Sequence, residues 1–259
     1  MKLTSKSLHA RLIRHLREWH RKLGIIAAFF IIFLSLSGVA LNHTTTLSLA
    51  QQHITSIWLL DHYGISAPDD VRFYQQNSLQ VTNNLLWFNN KLILDSDTYI
   101  VAATLISPTQ NSTDQIILAV GSDQITLFNQ QGDIIDQLGG ELGVPKNISA
   151  VKVDKNITLV KTDSGYFQTT SDFLTWHEVN FVTEPQWIID NEVPVKLINQ
   201  AELNYRSQFL TLERIILDAH SGRILGLFGV LIMDVVAILL ILLSLSGIYI
   251  WLRYARAKR

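Results

Sequence analysis

Two uninterrupted apolar runs, one near each end of the chain, restrict its fold more than any other feature. Leu23–Leu41 carries no charge, and Ile224–Trp251 has Asp234 as its sole charge. As helices rising about 1.5 Å per residue they reach about 28 Å and about 42 Å, enough to cross a hydrocarbon core about 30 Å thick. The longer run leaves length for tilt without fixing an angle. Charge supports the same reading. Residues 1–22 hold seven Lys/Arg against Glu18 alone, and residues 252–259 hold four against none. The remaining 10 basic and 21 acidic residues leave the middle of the chain at -11, although the whole is at -1. By the positive-inside bias both ends face the cytoplasm and the middle lies outside. Juxtamembrane position accounts for the basic ends, so no nucleic-acid partner is inferred.

The expected organisation has five parts. Residues 1–22 form a basic amphipathic segment at the membrane surface, with Leu8, Leu12, Ile13, Leu16 and Trp19 near one face. Residues 23–42 form the first membrane helix. A secretory signal also has a basic start and an apolar core, but this run is longer and no small-x-small cleavage site follows, so an uncleaved anchor is expected. Residues 43–222 form a β-rich outer domain, 223–252 the second membrane helix, and 253–259 a basic tail. The chain has no cysteine. That excludes disulfides, thiolate metal sites and covalent haem attachment, and suits a bacterial periplasm better than a eukaryotic exterior.

Within the middle, Thr46–His62 has helical spacing. From Val71 to Phe181 the pattern changes to twelve short strands separated by turn chemistry such as Asn-Asn, Gly-Ser-Asp-Gln and Thr-Asp-Ser-Gly. Faint self-similarity around Leu86, Leu118 and Leu159 recurs at blade-like intervals. Three blades fall short of the usual four, so a partial propeller or an open antiparallel assembly is expected. Pro194–Ser207 reads as helix and Phe209–Asp218 as strand. The fold class is thus a membrane protein of α plus β type, two transmembrane helices flanking a β-rich domain.

Two stretches carry a resemblance. Trp19-His20-Arg21-Lys22-Leu23-Gly24 opens a helix that ends Leu36-Ser37-Gly38-Val39-Ala40-Leu41-Asn42-His43. Asp218-Ala-His220-Ser221-Gly222-Arg223 precedes a helix that ends Ser246-Gly247-Ile248-Tyr249-Ile250-Trp251. Together they resemble the PepSY-associated transmembrane proteins, over a stretch at each end of the chain and not over its centre. Residues 193–222 resemble the tail of a PepSY unit feeding its membrane helix. Some four-helix members of that family are haem-binding ferric-siderophore reductases, so the resemblance implies haem b, electron transfer and iron uptake as one role.

The residues themselves leave two roles open. His20, His43 and His220 stand at membrane boundaries. Neutral imidazoles can ligate haem iron axially, and antiparallel helices would bring His43 and His220 to one depth. Interfacial histidines also serve as ordinary anchors beside Trp and Arg. Asp234 lies about 15 Å into its helix, near mid-depth, where a carboxyl is costly and marks either a proton relay or a packing contact. Its expected partner is Ser35 or Ser37, of the same chain or of another copy. Leu34-Ser35-Leu36-Ser37-Gly38 recurs as Leu243-Ser244-Leu245-Ser246-Gly247, small residues that let helices approach closely. No Walker loop, dinucleotide fingerprint or metalloprotease motif is present, which argues against a self-contained enzyme. The leading expectation is a non-enzymatic accessory subunit in a bilayer, associating with itself or with a larger membrane complex. The alternative is a haem-binding redox subunit.

Overall fold

The computed structural model describes residues 5–107, 115–155, 157–170 and 172–257, without the side chains of 5–13, 16 and 254–257. The chain divides into two compact units. One comprises the chain up to Ile54 and from Leu210 onward, and the other spans Thr55–Phe209. The segments 43–54 and 210–222 therefore go with the terminal helices.

The helical unit begins with α1, Ser5–Asn42, a single helix of 38 residues. The surface segment and the first membrane helix are thus one continuous rod. The amphipathic face expected on Leu8, Leu12, Ile13 and Leu16 lies outside the described side chains, as do Lys258 and Arg259 of the tail. After α1 the chain runs through turns, and His53 bridges Thr211 in antiparallel register. The expected long helix over Thr46–His62 is replaced by these turns and, in the second unit, by the short α2, Ile57–His62.

Helix α4 covers Leu212–His220, in place of the expected strand. Ile215 and Ile216 read as strand locally, but the ends decide. The Thr211 side chain accepts from the Arg214 backbone N–H at the N-terminus, and Arg214 pairs with Asp218 one turn later. A turn through Gly222, at φ 80°, then leads into α5, Gly226–Ala257. A side chain at Gly222 would collide with the carbonyl of Gly229, so both glycines are required for the chain to fold back onto the first turn of α5.

Helices α1 and α5 pack antiparallel along matching stripes. On α1 the buried or half-buried positions include His20, Leu23, Ala27, Phe30, Leu34, Ser37 and Leu41. On α5 they include Gly229, Ile232, Val236, Leu239, Leu243, Ser246 and Ile250. Both stripes alternate steps of three and four, the spacing of knobs-into-holes packing. The spans Arg17–Asn42 and Arg223–Arg253 are long and apolar enough to cross a bilayer.

The second unit contains three four-stranded antiparallel meanders. The first is β1 (Val71–Tyr74), β2 (Leu79–Thr82), β3 (Leu85–Phe88) and β4 (Lys91–Asp95). The second is β5 (Ile100–Ile106), β6 (Ile116–Gly121), β7 (Ile125–Phe128) and β8 (Ile134–Leu138). The third is β9 (Ala150–Asp154), β10 (Ile157–Thr162), β11 (Gly165–Thr169) and β12 (His177–Val179). All the expected strands are present, arranged as three blades. The blades start at Val71, Ile100 and Ala150, so the internal repeat is less even than the spacing of Leu86, Leu118 and Leu159 suggested. Leu86 lies on the third strand of its blade, whereas Leu118 and Leu159 lie on the second of theirs.

Local chemistry explains the blades. Asn89 and Asn90, at φ 48° and 64°, make the two-residue turn between β3 and β4 that matches strand twist. The central blade is covered on both faces. Ile117, Ala119 and Phe128 join Leu79, Val81 and Leu86 in one core, and Leu118, Val120 and Ile125 join Val151, Val160 and Phe173 in the other. That is why β6 reads Ile-Ile-Leu-Ala-Val-Gly rather than alternating. Arg72 ties the first two blades together, donating from its guanidinium to the carbonyls of Ile100 and Val101 and to Tyr74 Oη. Burial raises the Tyr74 phenol above its ordinary value, against the lowering effect of Arg72. Helix α3, Val195–Ser207, matches the expected helix, with Arg206 paired to Asp61.

A candidate site on the membrane helix pair

The repeated Leu-Ser-Leu-Ser-Gly places one serine of each copy on the stripe that faces the other helix. Ser37 Oγ lies 2.7 Å from Nδ1 of His220, and Ser246 Oγ lies 2.8 Å from Nδ1 of His20. The two contacts sit at opposite ends of the pair, about 26 Å apart along α1 between His20 and Ser37. Each therefore joins the end of one helix to a histidine held by the other arm.

Each serine hydroxyl also reaches the backbone of its own helix. Ser37 Oγ donates to the Phe33 carbonyl at 2.7 Å, and Ser246 Oγ donates to the Leu243 carbonyl at 3.0 Å. A hydroxyl has one hydrogen and can also accept, so whether serine or imidazole donates across each contact depends on the tautomer of the ring. A Cβ at Gly38 would lie 3.7 Å from His220 Cε1 and one at Gly247 3.4 Å from His20 Cε1, ordinary packing distances that put each ring beside the glycine following its serine. The Ser-Gly pair stands beside a histidine ring at both positions.

The structure gives His20 and His220 each a serine neighbour. His220 meets Ser37 rather than His43, which is about 9 Å further along α1. His43 is exposed, and its backbone N–H bonds the carbonyls of Val39 and Ala40 at the end of the helix. His20 lines a groove of about 510 Å³ together with Trp19, Leu23, Leu239, Leu242, Leu243, Leu245, Ser246 and Tyr249. Its wall is almost wholly apolar. His15 packs edge-on against Trp19 of the same groove, with ring centroids 6.5 Å apart.

Ser35 and Ser244 are exposed, and Ser244 donates to the Leu240 carbonyl of its own helix. Asp234 is also exposed, without a hydrogen-bonding partner among the described residues. It lies about 16 Å from the Arg223 end of its span, inside the hydrocarbon and toward that side of mid-depth. Insertion scales put a central Asp at about 2.5–3.5 kcal/mol unfavourable. The described residues contain no group of three or more His, Asp or Glu placed to hold a metal ion.

Sequence reasoning misses the serine–histidine contacts, although the doubled Leu-Ser-Leu-Ser-Gly and the boundary histidines are both visible in the sequence. The missing signal is the facing stripe. The two stretches that carry the family resemblance are those that make these contacts. The family match extends further than they do, through the three blades as well. No curated protein matches the chain. A model of the PepSY-associated TM region matches residues 2–254, and the chain belongs to that family of membrane proteins.

Proposed function

We propose that the chain is a non-enzymatic accessory subunit of the bacterial inner membrane. Both ends lie in the cytoplasm, and the three-bladed unit is presented in the periplasm to a partner or a larger membrane complex. The observation that carries this reading is the pair of serine–histidine contacts. They give the boundary histidines a structural task, holding the two helices as an anchor. The charge asymmetry of the ends supports the orientation. The blade unit carries exposed apolar side chains suited to a partner, among them Ile134 and Ile135 on the edge strand β8. A photo-crosslinking residue in place of Ile135, or of exposed Ile157 on β10, tests it in intact cells. A discrete protein adduct is the expected result. Absence of any adduct from a scan over both edges of the unit would overturn the reading.

A second reading rests on His20 and its apolar groove. Here His20 would hold haem b through Nε2, with Leu23, Leu239, Leu242 and Leu243 against the macrocycle and a second axial ligand from another copy or a partner. Haem would supply one-electron transfer across the membrane, with ferric iron as an acceptor in iron uptake. His20→Ala then abolishes a Soret band that Ser246→Ala only shifts. A spectrum indifferent to both variants removes this reading.

A further inference from the structure

Helix α5 has one face against α1, marked by buried Val236. Asp234 precedes Val236 by two positions, a rotation of about 200°, so its carboxyl points directly away from α1. It belongs to a second stripe: Leu227, Leu231, Asp234, Ile238, Ile241, Leu245, Ile248 and Leu252. The steps alternate four and three throughout, and the apolar members are 44–77 % exposed. Because α5 is apolar all round, an exposed apolar stripe selects no face by itself. Asp234 does select one. An intramembrane carboxyl almost always faces a protein interior or a polar cavity, and this one faces neither within the chain.

We propose that this stripe is the contact between two copies of the chain. Copies inserted in the same direction are related by a two-fold axis along the membrane normal. Such an axis brings the same stripe, in register and parallel, against itself. It also delivers to Asp234 a carboxyl at its own depth, whatever the tilt. One carboxyl donates its O–H and the other accepts, so the pair is satisfied without any further residue type. The stripe carries one polar position among apolar ones, the arrangement by which a single buried polar side chain sets register and strand number in a helix pair. Serine and glycine are absent from it. The small residues of α5 that face inward belong to the α1 contact, so the two interfaces do not compete. The inference rests on α5 spanning a membrane and is independent of any partner of the blade unit.

The lack of native cysteine makes the test direct. Ile238→Cys and Leu245→Cys place thiols on the stripe, and Val235→Cys places an equally exposed thiol about 100° away from Asp234. Full-length variants in native membranes are treated with a membrane-permeant oxidant. Disulfide-linked dimers are expected from Ile238→Cys and Leu245→Cys and not from Val235→Cys. Adding Asp234→Leu to Ile238→Cys lowers the dimer yield by roughly threefold to tenfold, whereas Asp234→Asn, which still pairs across the axis, largely preserves it. Equal yields at all three positions, no dimer at the stripe, or a yield indifferent to Asp234→Leu would each overturn the proposal. So would cross-linking of the stripe to a different protein.

Discussion

His20 and His220 are each defined by one serine. Each ring places Nδ1 within hydrogen-bond distance of a hydroxyl that also contacts its own helix backbone. Between membrane helices such a contact contributes about 0.6 kcal/mol on average and up to about 2 kcal/mol. A coupling of about 0.5–2 kcal/mol is therefore expected between Ser37→Ala and His220→Ala in a double-mutant cycle on the unfolding of the detergent-solubilised protein. A coupling of zero would mean that the contact is incidental. Sequence reasoning stops at this scale for a definite reason. Boundary histidines and the doubled Ser-Gly are legible as residue types, and pairing His220 with His43 follows from placing helix ends at equal depth. The actual partner depends on which face of α1 turns inward, which is set by the stripe from His20 to Leu41. In a helix apolar on every side, that face is not marked by hydrophobicity.

At the scale of elements, the strands are legible and one helix is not. The strands announce themselves through β-branched runs and through turn residues such as Asn89 and Asn90, whose left-handed conformations the fold uses. Helix α4 reads as a strand because Ile215 and Ile216 have strand propensity. Its cap at Thr211 and its Arg214–Asp218 pair are the signals that outweigh them. The long α1 reads as two segments because charge stops at Lys22, yet helical hydrogen bonding is indifferent to that boundary. The turn from α4 to α5 is sensitive to substitution at Gly222. Gly222→Val adds a β-branched side chain at positive φ and against the Gly229 carbonyl. Strain of that kind costs about 1–3 kcal/mol before any steric shift. We expect the variant to lose the His220–Ser37 contact, seen as loss of the coupling described above, and to unfold at lower temperature than Gly226→Ala. Equal stability of the two would contradict the close approach assigned to Gly222.

For the whole molecule, two compact units answer to two kinds of sequence. The helical unit is written in apolar stripes and terminal charge, and the blade unit in short strands and polar turns. Membrane crossing follows from length and composition, and family membership from the match over residues 2–254. The role follows from what the boundary histidines do. As anchors they hold two helices together and leave the blade unit as the working surface. As ligands they would make the helix pair a conductor of electrons. The measurement that separates these most directly is the visible absorption spectrum of the detergent-purified protein, expressed with ample haem and recorded before and after dithionite. No Soret band is predicted in either state. A Soret band that sharpens on reduction, with split lower-energy bands and loss in His20→Ala, would contradict the anchoring role.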